Sequence, residues 1–252
     1  MITKYAFATR VGYAPNNPNK VNQDSFILSP NINNCNYLHY FGVCDGHGQN
    51  GKEVSHYCKM KLPTGLAKEL KHNSHDVEGA FKKTYLKVNS DLDDQTYDCS
   101  LSGTTVCTLL FQGTKIICAN AGDSRAIKVG FTDPNGPLDV TALNRDHKPD
   151  LPDEMERIKA RGGRIDAFRD HYNNNEPIGP ARVWLKHEDL PGLAMSRSLG
   201  DKVAQSVGVS PEPDVLEFTL TIKDRFVVIA SDGVWEFLPN EEVAQIVLPF
   251  YE

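Results

Sequence analysis

Three apolar runs in this chain each end in an acid beside a glycine, and that recurrence restricts the fold more than any other feature. Tyr37–Gly48 reads YLHYFGVCDGHG: Leu38, Tyr40, Phe41 and Val43 suit a buried strand, which stops at Asp45-Gly46-His47-Gly48. Val228-Ile229-Ala230-Ser231-Asp232-Gly233 delivers Asp232 to a strand end in the same way, and Ile116-Ile117-Cys118-Ala119-Asn120-Ala121-Gly122-Asp123 does so for Asp123. Asn22-Gln23-Asp24 sits just ahead of the short run Phe26–Leu28. Taken singly, each of these acids is as readily a turn residue. Repeated at strand ends, they are carboxylates that are costly to bury unless paired or bound to a cation. Oxygen donors in an acidic chain favour Mg²⁺ or Mn²⁺, and no His-x-x-x-His or thiolate cluster points to zinc. The glycines let the chain turn and bring a backbone carbonyl to the same ion, while His47 adds a titratable group to the pocket.

The rest of the composition narrows the class. At 252 residues and 40% hydrophobic content the chain can fill a real core, and no repeat, low-complexity tract or linker divides it, so one domain over 1–252 is expected. A formal net charge of −6 leaves no basic face for nucleic acid, although it is compatible with phosphate chemistry if cations sit in the site. The cysteines at 35, 44, 58, 99, 107 and 118 form no C-x-x-C pair and read as reduced core thiols. There is no apolar run of about 18 residues, so no membrane partner is expected. The start MITKYAFATR has no signal-peptide core, and Ile2 rules out N-myristoylation at this start. A monomer in the cytoplasm or nucleus is the expectation.

Along the chain, Tyr5–Val11 and Phe26–Leu28 read as strands, followed by a polar hairpin at Pro30–Asn36. Helical periodicity begins near Lys52, with a break expected at Pro63. Asp76–Asp93 is the clearest helix, capped by Asp76, with Val77, Ala80, Phe81, Tyr85, Val88 and Leu92 on one stripe. Strands are predicted at Thr104–Phe111, Lys115–Asn120, Ala126–Val129, Val215–Leu220 and Phe226–Ala230. Leu151–Arg161 reads as a helix stopped by Gly162-Gly163, Asp170–Pro180 as an exposed loop, and Glu241–Val247 as a last helix capped by Asn240.

At this point a resemblance is visible. Asn22-Gln23-Asp24, Asp45-Gly46-His47-Gly48, Ser102-Gly103-Thr104-Thr105, Ala119-Asn120-Ala121-Gly122-Asp123-Ser124-Arg125, the Gly192–Asp201 segment GLAMSRSLGD and Ser231-Asp232-Gly233-Val234-Trp235-Glu236 resemble, in order, the motifs of the metal-dependent type 2C serine/threonine protein phosphatases. The resemblance runs from about residue 10 to the end. It implies an α+β fold, a four-layer α-β-β-α sandwich of two antiparallel sheets flanked by helices. It also implies two Mg²⁺ or Mn²⁺ ions, with a weaker third. Asp45 would bridge the pair, with the Gly46 carbonyl on one ion. Asp232 would ligate the first metal, and Asp24 with Gln23 would hold the second, directly or through water. Asp123, Asp232 and Glu236 would form the weaker site. Hydroxide between the metals would attack phosphorus in a phosphoprotein, with His47 as general acid for the leaving oxygen.

The chain departs from that pattern in three places. Gln23 stands where the family often has Glu, which keeps a ligand oxygen and loses a charge. The phosphate-holding Arg is absent, and Lys20 is the nearest cation, able to neutralise phosphate but not to grip it bidentately. No further Asp-Asn motif follows Glu236, so the chain is expected to lack the family's C-terminal end and to leave the Asp232 strand with a bare edge. A pseudophosphatase with an incomplete metal site is the alternative, and a small-molecule phosphomonoesterase a third reading. Arg182, Trp184 and residues 173–186 fall where the family has its mobile flap. Arg125 and Arg197 are expected to tie loops to buried acids. The histidines other than His47 lack ligand spacing and are expected at the surface.

Overall fold

The structure is a computed structural model that describes residues 2–13, 17–133, 136–170 and 176–251. Tyr5–Val11 is not a strand. Its alternation instead lays two rings on the protein, Tyr5 against Phe41 and Phe7 against Phe26 with centroids 5.6 and 4.5 Å apart, and among the described residues no strand pairs with this backbone. The elements then run β1 (Ser25–Ser29), β2 (Leu38–Cys44), β3 (Gly46–His47), α1 (Gly51–His72), α2 (Val77–Asp91), β4 (Gly103–Thr104), β5 (Val106–Gln112), β6 (Lys115–Ala121), β7 (Arg125–Phe131) and β8 (Leu138–Ala142). After these come α3 (Pro152–Ala160), β9 (Arg164–Asp170), β10 (Glu176–Trp184), β11 (Pro191–Leu193), β12 (Leu199–Gly200), α4 (Lys202–Ser206), β13 (Asp214–Thr219), β14 (Asp224–Ala230), α5 (Asp232–Trp235) and α6 (Asn240–Val247).

Period-two alternation builds the layers. In β5, Val106 and Leu110 face one side while Cys107, Leu109 and Phe111 face the other; in β6, Ile117, Ala119 and Ala121 alternate with Ile116 and Cys118 in the same way. The first set packs under α1 and α2, so the sheet β1-β2-β5-β6-β13 carries a helical layer. The second set meets Ala126 of β7 and Val227 and Ile229 of β14, so the sheet β14-β7-β8 closes on its opposite face. Ile127 and Val129 on the far side of β7 pack on Trp235, Val243 and Ala244, the outer layer from α5 and α6. The result is the expected α-β-β-α sandwich. β14 stands at the edge of its sheet, and all 7 of its residues are half-buried. All six cysteines are unpaired, five of them buried. Among the described residues no helix is long and apolar enough to cross a membrane.

Several elements differ from their sequence expectation. α1 runs unbroken through Pro63, because Val54, Cys58, Leu62, Leu66 and Leu70 form one buried stripe across it, and packing outweighs the lost hydrogen bond. Most of the expected loop at Asp170–Pro180 belongs to the hairpin β9–β10, where Phe168 pairs with Ile178 and Arg169 with Pro177; residues 171–175 lie outside the described residues. Asn240 is the first residue of α6 rather than its cap, and its Oδ1 accepts a hydrogen bond from Arg125 Nη1 at 2.7 Å. Asp76 does cap α2, accepting from the Gly79 amide at 2.8 Å.

Candidate active site

Asp45 follows β2 directly, and its backbone is pinned on both sides. Its carbonyl accepts from the Thr105 amide at 2.9 Å and its amide donates to Thr105 Oγ1 at 3.2 Å. The same hydroxyl lies 2.7 Å from Ser124 Oγ, next to Asp123, so Thr105 ties two of the acids together. Gly46 is wedged against the Gly51 and Gln23 carbonyls, and any side chain there would collide with both. Asp24 is turned inward by an Asx contact, its amide donating to Asn22 Oδ1 at 3.0 Å. Ser231 Oγ then donates to Asp24 Oδ2 at 3.0 Å, which brings the start of α5, and Asp232 with it, beside the start of β1.

The acids act on one another through their charges. The Asp45 carboxyl is pushed up to about 9, first by burial and then by the charges of Asp24 and Asp232, with Asp123 adding to them. Burial also raises Asp123, despite the opposing pull of Lys148, whose ammonium donates to Asp123 Oδ2. Asp123 Oδ1 is buried without a hydrogen-bond partner. Among the described residues, no three His, Cys, Asp or Glu side chains close around a single point. As a donor set, carboxylates, an unpartnered carboxylate oxygen and a glycine-lined backbone suit a hard divalent cation.

Three of the other predicted residues stand apart from this cluster. Gln23 spends its side-chain amide on the turn beside Gly46 and Gly51, its Nε2 donating to the Gly48 carbonyl at 2.7 Å. Glu236 is exposed at the end of α5, and its amide donates to the Asp232 carbonyl at 2.8 Å. Lys20 is exposed, its amide hydrogen-bonded to the Asn17 carbonyl, and among the described residues it makes no ion pair with the acids. His47, by contrast, lies in the cluster's field: burial opposes its charged form, and Asp201 outweighs it and raises the ring's pKa, with Asp123 contributing.

Three residues without a sequence-predicted role complete the surroundings. Asp201 meets His47 Nε2 at 2.7 Å. Lys148 holds Asp123. His147, expected at the surface, is fully buried; its Nδ1 accepts from the Gly122 amide at 3.2 Å, its Nε2 lies 3.1 Å from Asp214 Oδ2, and it braces the turn that carries Asp123. The polar run Asp146-His147-Lys148-Pro149 looks like any turn, and only its packing beneath the Asp123 loop separates it from one. The two arginines do tie loops to acids: Arg125 grips Asp146 with two bonds of 2.9 and 2.6 Å, and Arg197 reaches the buried Glu154 at 2.7 Å.

The protein phosphatase 2C family model matches residues 14–251. Probable protein phosphatase 2C 35 of Arabidopsis thaliana is 38% identical over 255 residues, a match that covers 96% of this chain and 72% of that protein. Probable protein phosphatase 2C 64 of Oryza sativa subsp. japonica is 37% identical over 233 residues, covering 90% of this chain and 53% of that one. The chain therefore spans only part of the length of these relatives. A crystal structure of a serine-threonine phosphatase 2C from Toxoplasma gondii superimposes with a TM-score of 0.74 at 24% identity, over 91% of this chain and 79% of that chain, which shows a shared fold. By sequence over nearly its whole length, and by its layered sheets, the chain belongs to the protein phosphatase 2C family.

Proposed function

We propose that this chain hydrolyses phosphoserine and phosphothreonine in proteins with Mg²⁺ or Mn²⁺ bound. Family membership supports the class of reaction, and the observation that carries the metal reading is Asp45. Its carboxyl is driven up to about 9 by burial beside Asp24 and Asp232, an arrangement that positive charge relieves. Asp24, Asp45, Asp232 and the Gly46 carbonyl would hold two ions. Asp123, Asp232 and Glu236 would hold a weaker third, and Gln23 would contribute an amide oxygen or a water contact. Bound there, the cations supply charge for the phosphoryl oxygens and lower the pKa of the attacking water. His47 holds a proton at the edge of the same cluster and hands it to the leaving serine or threonine oxygen. Lys20 is the candidate for neutralising the substrate phosphate, from an exposed position.

Phosphate release from a phosphothreonine peptide tests this reading. Turnover in Mn²⁺ that EDTA removes supports it, and an intact chain that releases no phosphate in Mn²⁺ overturns it. Faster release from sugar phosphates than from the peptide would move the substrate class to small molecules.

A further inference from the structure

We infer that Asp201 is a positioning residue for His47: it holds the ring by Nε2, so that Nδ1 is the nitrogen that serves the leaving oxygen. The inference rests on the phosphatase reading above and deepens it. Its basis is the small sheet β12-β4-β3, in which His47 pairs with Gly103 and Gly103 with Gly200, so that Asp201 emerges across the strip from His47. Gly103 between them has no side chain, and one added there would collide with Asp201 Oδ2. The carboxylate therefore occupies the space a side chain in the middle strand would need.

Asp201 is also held in an unfavourable backbone conformation without capping the helix it precedes. It is a non-glycine residue at φ 46°, in the left-handed region that most side chains avoid. It precedes α4, where an aspartate ordinarily accepts from the first helical amides, yet its side chain makes no capping bond. Instead its carboxylate, 3% exposed, is turned back. Oδ2 accepts from Ser198 Oγ at 2.5 Å and meets His47 Nε2 at 2.7 Å, while the Asp201 amide is anchored on the Ser102 carbonyl at 2.9 Å. An oxygen that already accepts from Ser198 accepts from the ring as well, so Nε2 carries the hydrogen.

The other ring nitrogen then has a definite state. His47 Nδ1 is buried and makes no well-formed hydrogen bond, although the Asp45 backbone lies near enough to favour the charged ring. A buried nitrogen without a well-formed bond is rare and leaves room for a partner from the substrate. The phosphoester oxygen is that partner. Hydrolysis adds water across the P–O bond, hydroxyl to phosphorus and proton to the alcohol. Nδ1 delivers that proton as the bond breaks and is recharged from solvent, while Nε2–H stays on Asp201 throughout.

Two measurements on the intact chain test this. Nitrogen-15 NMR of the metal-free protein is expected to show the His47 Nε2 proton hydrogen-bonded and shifted downfield; an Nε2 without a proton overturns the inference, whether or not the protein proves to be a phosphatase. Turnover is the second readout. With Mn²⁺ and a phosphothreonine peptide, Asp201→Asn is expected to lower kcat about 10- to 100-fold, a part of the roughly 10²- to 10⁴-fold that a general acid contributes. On p-nitrophenyl phosphate, whose leaving group needs no proton, the loss is expected to be small. In a His47→Gln background the same substitution should add almost nothing, because the two residues act as one unit. Equal losses on both substrates, or a full further loss in the His47→Gln background, would mean that Asp201 serves only the fold. If no variant or wild-type chain turns over at all, the phosphatase reading fails and the NMR result still decides the Asp201–His47 contact.

Discussion

In the metal-free protein, the Asp45 carboxyl keeps its proton up to about 9, against an ordinary value of 3.8, because burial and the charges of Asp24 and Asp232 oppose ionisation. The unfolded chain has already released that proton near the ordinary value, so between the two values the folded state binds more protons and its stability falls as pH rises. In EDTA the melting temperature is therefore expected to drop from about pH 5 to about pH 8, and Asp45→Asn should flatten that drop, each kcal/mol being worth roughly 2–4 °C in a chain of this size. Thermal melts of both proteins at the two pH values check this; an Asn variant with the wild-type slope would exclude Asp45 as the cause. Lys148 acts in the opposite sense. Lys148→Met leaves Asp123 buried and unpaired, and is expected to lower stability in EDTA by about 1–3 kcal/mol, less than for a fully buried pair because the ammonium side chain is 38% exposed. Mn²⁺ should recover part of that loss, and a variant as stable as wild type in EDTA would contradict the pairing. Asp24, Asp45, Asp123 and Asp232 were legible in the sequence because each sits beside an apolar strand. Lys148 was not, and Asp201 stood only at the end of a resembling segment without a role, since their partners lie 25 and 154 positions away.

At the scale of elements, α3 shows how much a buried acid can organise. Glu154 is fully buried, which alone would raise its carboxyl, yet bonds from Arg157, Arg197 and Ser196 outweigh burial and hold it well below the ordinary value. Arg197 continues to Asp214 at the head of β13, so one carboxylate joins a helix, the segment before β12 and an edge strand. A depressed folded pKa gives stability that is complete above the unfolded value and lost as pH falls below it. Glu154→Gln is thus expected to cost about 3–5 kcal/mol near neutrality, with the gap to wild type closing below about pH 4; denaturant melts across pH would show a constant gap if the network were incidental. α1 supplies the contrasting case. Pro63 removes one backbone bond from the middle of a 22-residue helix whose buried stripe holds it straight. Pro63→Ala should restore that bond and raise stability by about 1–2 kcal/mol, after allowing for the freer unfolded chain, and a fall in melting temperature would show that the helix depends on the ring's packing. Local rules anticipated a break at Pro63 and a loop at Asp170–Pro180, and tertiary contacts overrode both. The helix keeps its stripe on the sheet, and the hairpin is held by ladder bonds and by Phe168 against Trp184, with ring centroids 5.1 Å apart.

Across the whole molecule, the alternation in β5 and β6 and the stripes of α1 and α2 were readable as buried faces. What they could not show was which sheet each face would meet, because two antiparallel sheets built from the same apolar residues can stack in many orders. The layer order entered only through the resemblance, and the two-residue strands β3, β4 and β12 are too short to show a period of their own. Yet these fix the site, since they carry Gly46, His47 and Gly103 and lead into Asp201. The acids themselves come from both halves of the sandwich: Asp24 and Asp45 flank strands of the five-stranded sheet, Asp232 follows β14 of the other, and Asp123 lies in the turn from β6 to β7 that passes between them. A cation held by this set would cross-link the two sheets rather than decorate one. Binding that favours the folded state stabilises it by mass action, about 2.7 kcal/mol at a hundredfold excess over Kd. Hydrogen exchange is expected to locate that gain. With Mn²⁺, amides at the end of β2 and the end of β14 should slow together, and Asp232→Asn should cancel the protection at β2 as well as at β14. Protection confined to one sheet, or a variant that loses it only beside residue 232, would show that the acids bind separately and that no ion joins the two layers.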